Sequence, residues 1–253
     1  MTVKETFEKC LSITGTFEGA SWGGSIGNFD GAGISAFILQ WNLGQGTLQP
    51  LLMDMYHADP ENFDEIAGKI QAQKLVQMCL TPDREDIQAF VTEVTTGVEY
   101  RPPSEAVKHF DGGKLIKPAW MVVFAGLGEN FRDQQVASAQ KYFDAALHLC
   151  KHFDLHTERG LAFCFDYAVQ RGAKSLDDEY LAKERDENKY DALTEIQRMN
   201  WILVNDLPDF SQRWREDVQS RRLCIINGKG RVHSTYYDLE KEFKLTDTPF
   251  NNS

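Results

Sequence analysis

Positive charge is in deficit along this chain. Lys and Arg number 27 against 38 Asp and Glu, a formal net charge of −11. A general nucleic-acid binder needs basic surface to displace counterions from phosphates, so this composition argues against that class. It suits a cationic substrate such as chitosan, although a cleft can differ in sign from the whole molecule. Cysteine is sparse and unpatterned. Cys10, Cys79, Cys150, Cys164 and Cys224 form no CxxC pair and no Cys/His cluster of metal-ligand spacing. Neither a zinc centre nor a disulfide framework is expected, and the thiols read as mostly buried and reduced. No apolar run approaches a membrane span, so no membrane insertion is expected. The opening MTVKETFEKCLSI mixes charges with apolar residues and lacks the apolar core of a signal peptide. The expectation is synthesis as a soluble cytoplasmic chain, which reaches any outside substrate by a non-classical route.

What is present suits a folded globular protein. Hydrophobic residues make up 42% and charged residues 26% of 253, and Gly and Pro are not in excess. That length fits a single domain over 1–253, built of two lobes. Hydrophobic periodicity predicts a helix over 3–13 that stops at Thr14-Gly15. A glycine-punctuated loop and a small β-hairpin follow. The stretch 34–41 (ISAFILQW) starts with strand-like composition and also fits a helix beginning near it. Helical patterning then dominates: 47–56 with Pro50 in its first turn, 64–80, 84–95, 119–127, 131–153, 158–170, 190–204, 214–225 and a last short helix over 236–243. The charged stretch 177–191 reads as an exposed helix or a loop, and Arg101-Pro102-Pro103 as a hinge. The fold class is mainly α (α+β).

The stretch with chemical content is 14–52, TGTFEGASWGGSIGNFDGAGISAFILQWNLGQGTLQPLL. Glu18 follows the first helix in a loop rich in Gly, Ser and aromatics. Asp30 sits in the tight-turn sequence Asp30-Gly31-Ala32-Gly33. Glycosidic hydrolysis needs two carboxyl groups flanking the bond, one protonated to donate to the leaving oxygen and one ionised to activate water or attack the sugar. Apolar neighbours favour the protonated form of a carboxyl, and a polar open turn favours the ionised one. Two carboxylates at this separation occur in most proteins; the surrounding residues single this pair out.

Phe17-Glu18, Asp30-Gly31-Ala32-Gly33-Ile34-Ser35 and Gly44-Gln45-Gly46 together resemble the catalytic segment of glycoside hydrolase family 46 chitosanases and their peptidoglycan-cleaving relatives in the lysozyme superfamily. The acid-to-base spacing is shorter than in typical chitosanases. The resemblance implies a lysozyme-like fold, with two helical lobes around a cleft and a small N-terminal β-hairpin. It implies Glu18 as general acid, Asp30 as general base and Ser35 as the hydroxyl that helps hold the attacking water. Inversion at the anomeric carbon follows from the same likeness and from the hydroxyl at Ser35; no metal or cofactor is expected, because the sequence offers no convincing ligand set. The run 159–170, with its Phe165-Asp166-x-Ala168-Val169-Gln170 core, resembles the family's central helix. The run 221–233 resembles its C-terminal Arg-Arg and Asn-Gly-x-Gly-x-Val-His pattern. In such enzymes a buried Arg/Asp network supports the acid, which points here to Asp166 with Arg221 or Arg222.

Trp22, Gln40 and Asn42 are the candidate substrate contacts; among the other aromatics able to stack on sugar rings, Trp41 reads as core and Trp120 stays open. His148, His152 and His156 stand at i, i+4 and i+8, a spacing that can make a metal face, but no carboxylate set accompanies them and a polar helix face is the better reading. The expected partner is a glycan polymer, peptidoglycan before chitosan. A phage lytic enzyme or an injected antibacterial effector fits such a chain, and an effector implies an immunity protein in its producer. The reading from another class is a catalytically silent glycan binder of lysozyme fold. Its weakness is that a binder has no need of both carboxylates and a hydroxyl in that order.

Overall fold

The computed structural model describes residues 3–27, 33–80, 84–96, 116–171 and 190–250. Asp30, the hinge candidate Arg101-Pro102-Pro103 and all but the last two residues of 177–191 lie outside the described residues. Within them the protein is mainly helical, with eleven α-helices and a small three-stranded antiparallel sheet near the N-terminus. The chain divides into two compact units. A terminal unit takes Met1–Phe17 and Ala139–Ser253, and an inserted unit takes Glu18–Ser138.

In the terminal unit, α1 (Val3–Phe17) packs along α8 (Glu158–Arg171). Phe7 lies 4.5 Å from Phe143 and 5.9 Å from Phe165 between ring centroids. α1 does not stop at Thr14-Gly15 as its sequence predicts; it runs on to Phe17. Thr14 and Phe17 are both fully buried, and that tertiary burial outweighs the helix-weakening glycine between them. α8 is buried without a break from Gly160 to Ala168, as a helix apolar on nearly all sides must be. Asp166 is the one charge inside that run.

α9 (Glu195–Asp206) begins five residues later than its pattern predicts, because Thr194 and Gln197 form a reciprocal capping box that fixes its start. α10 (Gln212–Asn227) ends at Gly228, whose φ of +70° closes the helix. A hairpin follows that the sequence reading misses: β4 (Lys229–Val232) pairs antiparallel with β5 (Thr235–Asp238). The predicted helix over 236–243 is therefore strand in its first half. Thr235, Tyr236 and Tyr237 favour the pleated surface, and only Leu239–Phe243 forms a helix, α11, capped by Asp238.

In the inserted unit, β1 (Ser25–Ile26), β2 (Ser35–Ala36) and β3 (Trp41–Asn42) pair in sequence order, with Ser25 opposite Ala36 and Ser35 opposite Asn42. The expected hairpin thus gains a third short strand. α2 (Leu48–Ala58) carries Pro50 in its first turn. The single helix predicted over 64–80 is two, α3 (Pro60–Ala67) and α4 (Lys69–Leu80). Asp59 caps α3 by accepting from Asn62 N at 3.1 Å, Pro60 opens it, and Gly68 at φ +78° ends it. α5 (Arg84–Val94) and α6 (Pro118–Asn130) follow, and α7 (Arg132–Phe153) begins in this unit and ends in the other.

The turn between β2 and β3 is apolar and buried at Phe37, Ile38 and Leu39. Buried turn backbone needs partners, and Gln135 on α7 supplies them. Its Oε1 accepts from Ile38 N at 3.1 Å, while its Nε2 donates to Trp22 O at 3.1 Å and to Gly128 O at 2.7 Å. The Trp22-Gly23 loop lies directly on α6. A Cβ on Gly128 would fall 2.1 Å from Trp22 O, and one on Gly23 would fall 2.6 Å from Ala125 Cα. Only glycine fits at either position.

Candidate functional site

Glu18 is the first residue past α1, and Gly19 turns the chain there with φ +66°. The last turn of α1 is braced within the terminal unit. Phe17 meets Tyr237 edge-on with ring centroids 5.5 Å apart, and the Arg221 guanidinium lies 5.8 Å from the Phe17 ring centre. Arg221 donates from Nε at 3.1 Å and from Nη2 at 2.5 Å to Asp166 Oδ1. Thr14 Oγ1, one turn before Phe17, also donates to Asp166 Oδ1 at 3.4 Å. Both partners of this ion pair are almost completely buried, Arg221 at 2% exposure and Asp166 at 0%. Asp166 Oδ2 is buried without a hydrogen-bond partner. The pair is therefore a costly feature placed against the turn that delivers Glu18.

The choice left open between Arg221 and Arg222 resolves in favour of Arg221. Arg222 does not reach Asp166; it bonds Asp206 at the end of α9. The physical reason is helical: consecutive residues on α10 point about 100° apart, so only one can face α8 at Asp166. Arg222 is sandwiched by aromatic rings, with Tyr167 at 4.5 Å, Phe210 at 5.3 Å and Phe163 at 5.8 Å. Asp206 also accepts from Tyr167 Oη at 2.9 Å and Arg171 Nε at 3.0 Å. This second network was missed by sequence reasoning, since an Asp followed by Leu-Pro-Asp reads as an ordinary helix end.

In the inserted unit, Ser35 on β2 faces Asn42 on β3. Asn42 Nδ2 donates to Ser35 Oγ at 2.8 Å, and Asn42 Oδ1 accepts from Gln45 N at 3.0 Å. Thr47 Oγ1 accepts from Asn42 N at 2.7 Å. Asn42 is 5% exposed, which leaves it almost no surface for a sugar. Its place is to hold Ser35. Gln40 sits in the β2–β3 turn with φ +51° and spends its amide nitrogen on Phe37 O at 3.0 Å; its Oε1 is buried without a partner. Trp22 is half-buried, with the Arg132 guanidinium 5.3 Å from its ring centre. Trp41 and Trp120 are buried core residues. Asp30 lies outside the described residues, so its distance from Glu18 does too.

The three histidines do not share a helix face. α7 ends at Phe153, and His156 lies past it, paired with Asp154 at 2.8 Å. Among the described residues no three His, Cys, Asp or Glu side chains gather closely enough to hold a metal ion. All five cysteines are free; four are buried and Cys79 is half-buried. Burial pushes the thiols of Cys79 and Cys224 up to about 12, with the Glu242 charge adding to the effect at Cys224. Among the described residues no helix is long and apolar enough to cross a membrane.

No protein-family model matches the sequence, and no curated protein matches it.

Proposed function

We propose that this protein is a glycoside hydrolase of lysozyme-like fold that cleaves β-1,4-linked amino-sugar polymers, peptidoglycan first among them. Glu18 is the general acid, Asp30 the general base, and Ser35 holds the attacking water. Asp166 and Arg221 are positioning residues. The observation that carries this reading is the position of Glu18, one residue beyond a helix whose last turn rests on a buried Asp166–Arg221 pair. A carboxyl that must meet a sugar oxygen within a few tenths of an ångström gains from such bracing. The Asn42 bond to Ser35 Oγ supports the role given to the hydroxyl, because a water-holding group works only when its own rotamer is fixed.

Chitosan is the second substrate reading, favoured by the net charge of −11. The proposed place of action is the cell wall or periplasm, reached by non-classical delivery as a phage lytic enzyme or an effector countered by an immunity protein. The experiment incubates the protein with purified sacculi and, separately, with chitosan, and identifies the released fragments. Glu18→Gln and Asp30→Asn should each cost about 10²-fold or more in rate with the fold intact. Near-normal turnover by either folded variant sinks the assignment. On a soluble β-linked oligosaccharide, NMR of fresh product should show the α-anomer first, as inversion requires.

A further inference from the structure

The β4–β5 hairpin carries a surface that the catalytic reading does not use. Its two faces differ. Val232 is buried, and Tyr237 packs on Phe17. Alternation along the strands puts Lys229, Arg231 and Tyr236 together on the opposite, exposed face, with Arg231 directly across from Tyr236. Tyr236 is 53% exposed, a large aromatic left in solvent. Beside β4 runs a groove of about 380 Å³ against α10, lined by Gln219, Ser220 and Asn227 with Lys229 and Arg231 on its strand side. Among the described residues, Glu216 is the only acid in the lining. Asp238, across from Lys229, is engaged by Lys241 at 2.9 Å. Lys229 also acts electrostatically on Asp238, and the described lining of the groove itself carries two cations to one acid in a chain whose net charge is −11.

Amides, a hydroxyl, two cations and an exposed ring are the groups that bind a sugar polymer carrying carboxylates. The ring stacks on a sugar face, the amides and the hydroxyl exchange hydrogen bonds with hydroxyl and acetamido groups, and the cations pair with carboxylates. We propose that the Lys229–Arg231–Tyr236 face and its groove bind the carboxylate-bearing strand of peptidoglycan, and so select an anionic amino-sugar polymer over cationic chitosan. This rests on the hydrolase reading above and deepens it. The hairpin is well placed for the task, because its other face is fastened to the residue that precedes Glu18.

The test separates binding from turnover. Co-sedimentation of the full-length protein with purified sacculi is compared for the unmodified chain, Lys229→Ala/Arg231→Ala and Tyr236→Ala, with circular dichroism as a check of folding. Each variant should bind about tenfold more weakly, with the double variant losing most of the salt dependence of binding. On soluble peptidoglycan fragments KM should rise by a similar factor while kcat changes less than about twofold. Unchanged sacculus binding by the folded double variant overturns the proposal. So does equally tight binding of the unmodified chain to polyglutamate, which offers carboxylates without sugar. Absence of turnover on every polymer would instead sink the hydrolase reading, and the co-sedimentation result would still decide the surface.

Discussion

The two units bury polar groups in opposite ways. The charged side chains buried among the described residues are Glu158, Asp166, Asp206, Arg221 and Arg222, and all five belong to the terminal unit. Among the described residues the inserted unit buries Asn42, Gln49, Thr95 and Gln135, all neutral. Both solve one problem, the satisfaction of polar groups away from water, but with different consequences. A neutral amide such as Gln135 bonds three stretches of backbone at modest desolvation cost. A buried ion pair gains little net stability over an apolar pair of the same volume, yet is very costly to break singly. Of the five buried charges, Asp166 and Arg221 brace the end of α1, while Asp206 and Arg222 tie α8, α9 and α10 together. The loop-rich inserted unit uses an amide where backbone must be satisfied.

That contrast can be broken most directly at Asp206. Asp206→Ala leaves Arg222 buried and removes the acceptor of Tyr167 and Arg171, and should cost about 3–5 kcal/mol in urea unfolding. Asp206→Ala combined with Arg222→Met should cost less than the single change; if it costs more, the buried charges are contributing net stability and the contrast fails. Gln135→Leu is the matching change in the inserted unit. It strips partners from Ile38 N, Trp22 O and Gly128 O and should cost roughly 2–3 kcal/mol, below the Asp206 effect. A loss larger than that of Asp206→Ala would reverse the ranking.

Asn42→Ala should cost only about 1 kcal/mol in stability while releasing Ser35. On the hydrolase reading, turnover should then fall more than stability does, and equal behaviour of enzyme assays before and after the change would remove Ser35 from the mechanism. The smallest effect concerns an exposed pair. Burial works against the charge of Asp154, but hydrogen bonds from His156 and Arg198 outweigh it and hold the carboxyl below its usual value. A depressed carboxylate contributes stability above its unfolded value, and that contribution is lost as pH falls through the folded one. Asp154→Asn should therefore flatten the acid limb of the stability profile slightly, without moving stability at neutral pH by more than about 1 kcal/mol.

Part of the charged half of this contrast was legible in the sequence, because the runs that hold Asp166 and the Arg221-Arg222 pair carry the resemblance to a buried Arg/Asp network. The amide half was not. Gln135 lies in Arg-Asp-Gln-Gln, the polar first turn of an amphipathic helix, where a hub and a solvated residue look alike. Asp206 was hidden for the same reason. The helix break at Gly68 was missed because helical periodicity carried across the glycine. The β4–β5 hairpin escaped notice because its four-residue strands are too short for alternation to stand out beside helix signals.

The division of the chain also sets an order of events during synthesis. Residues 18–138 form a continuous stretch that can condense as soon as it leaves the ribosome. α1 cannot, because Phe7 waits for Phe143 and Phe165, and Thr14 waits for Asp166. At about 5–20 residues per second, its apolar face stands uncovered for on the order of ten seconds. For that interval the helix that will present Glu18 is a sticky segment in a crowded cell, shielded only by the charges spaced along it at Lys4, Glu5, Glu8 and Lys9.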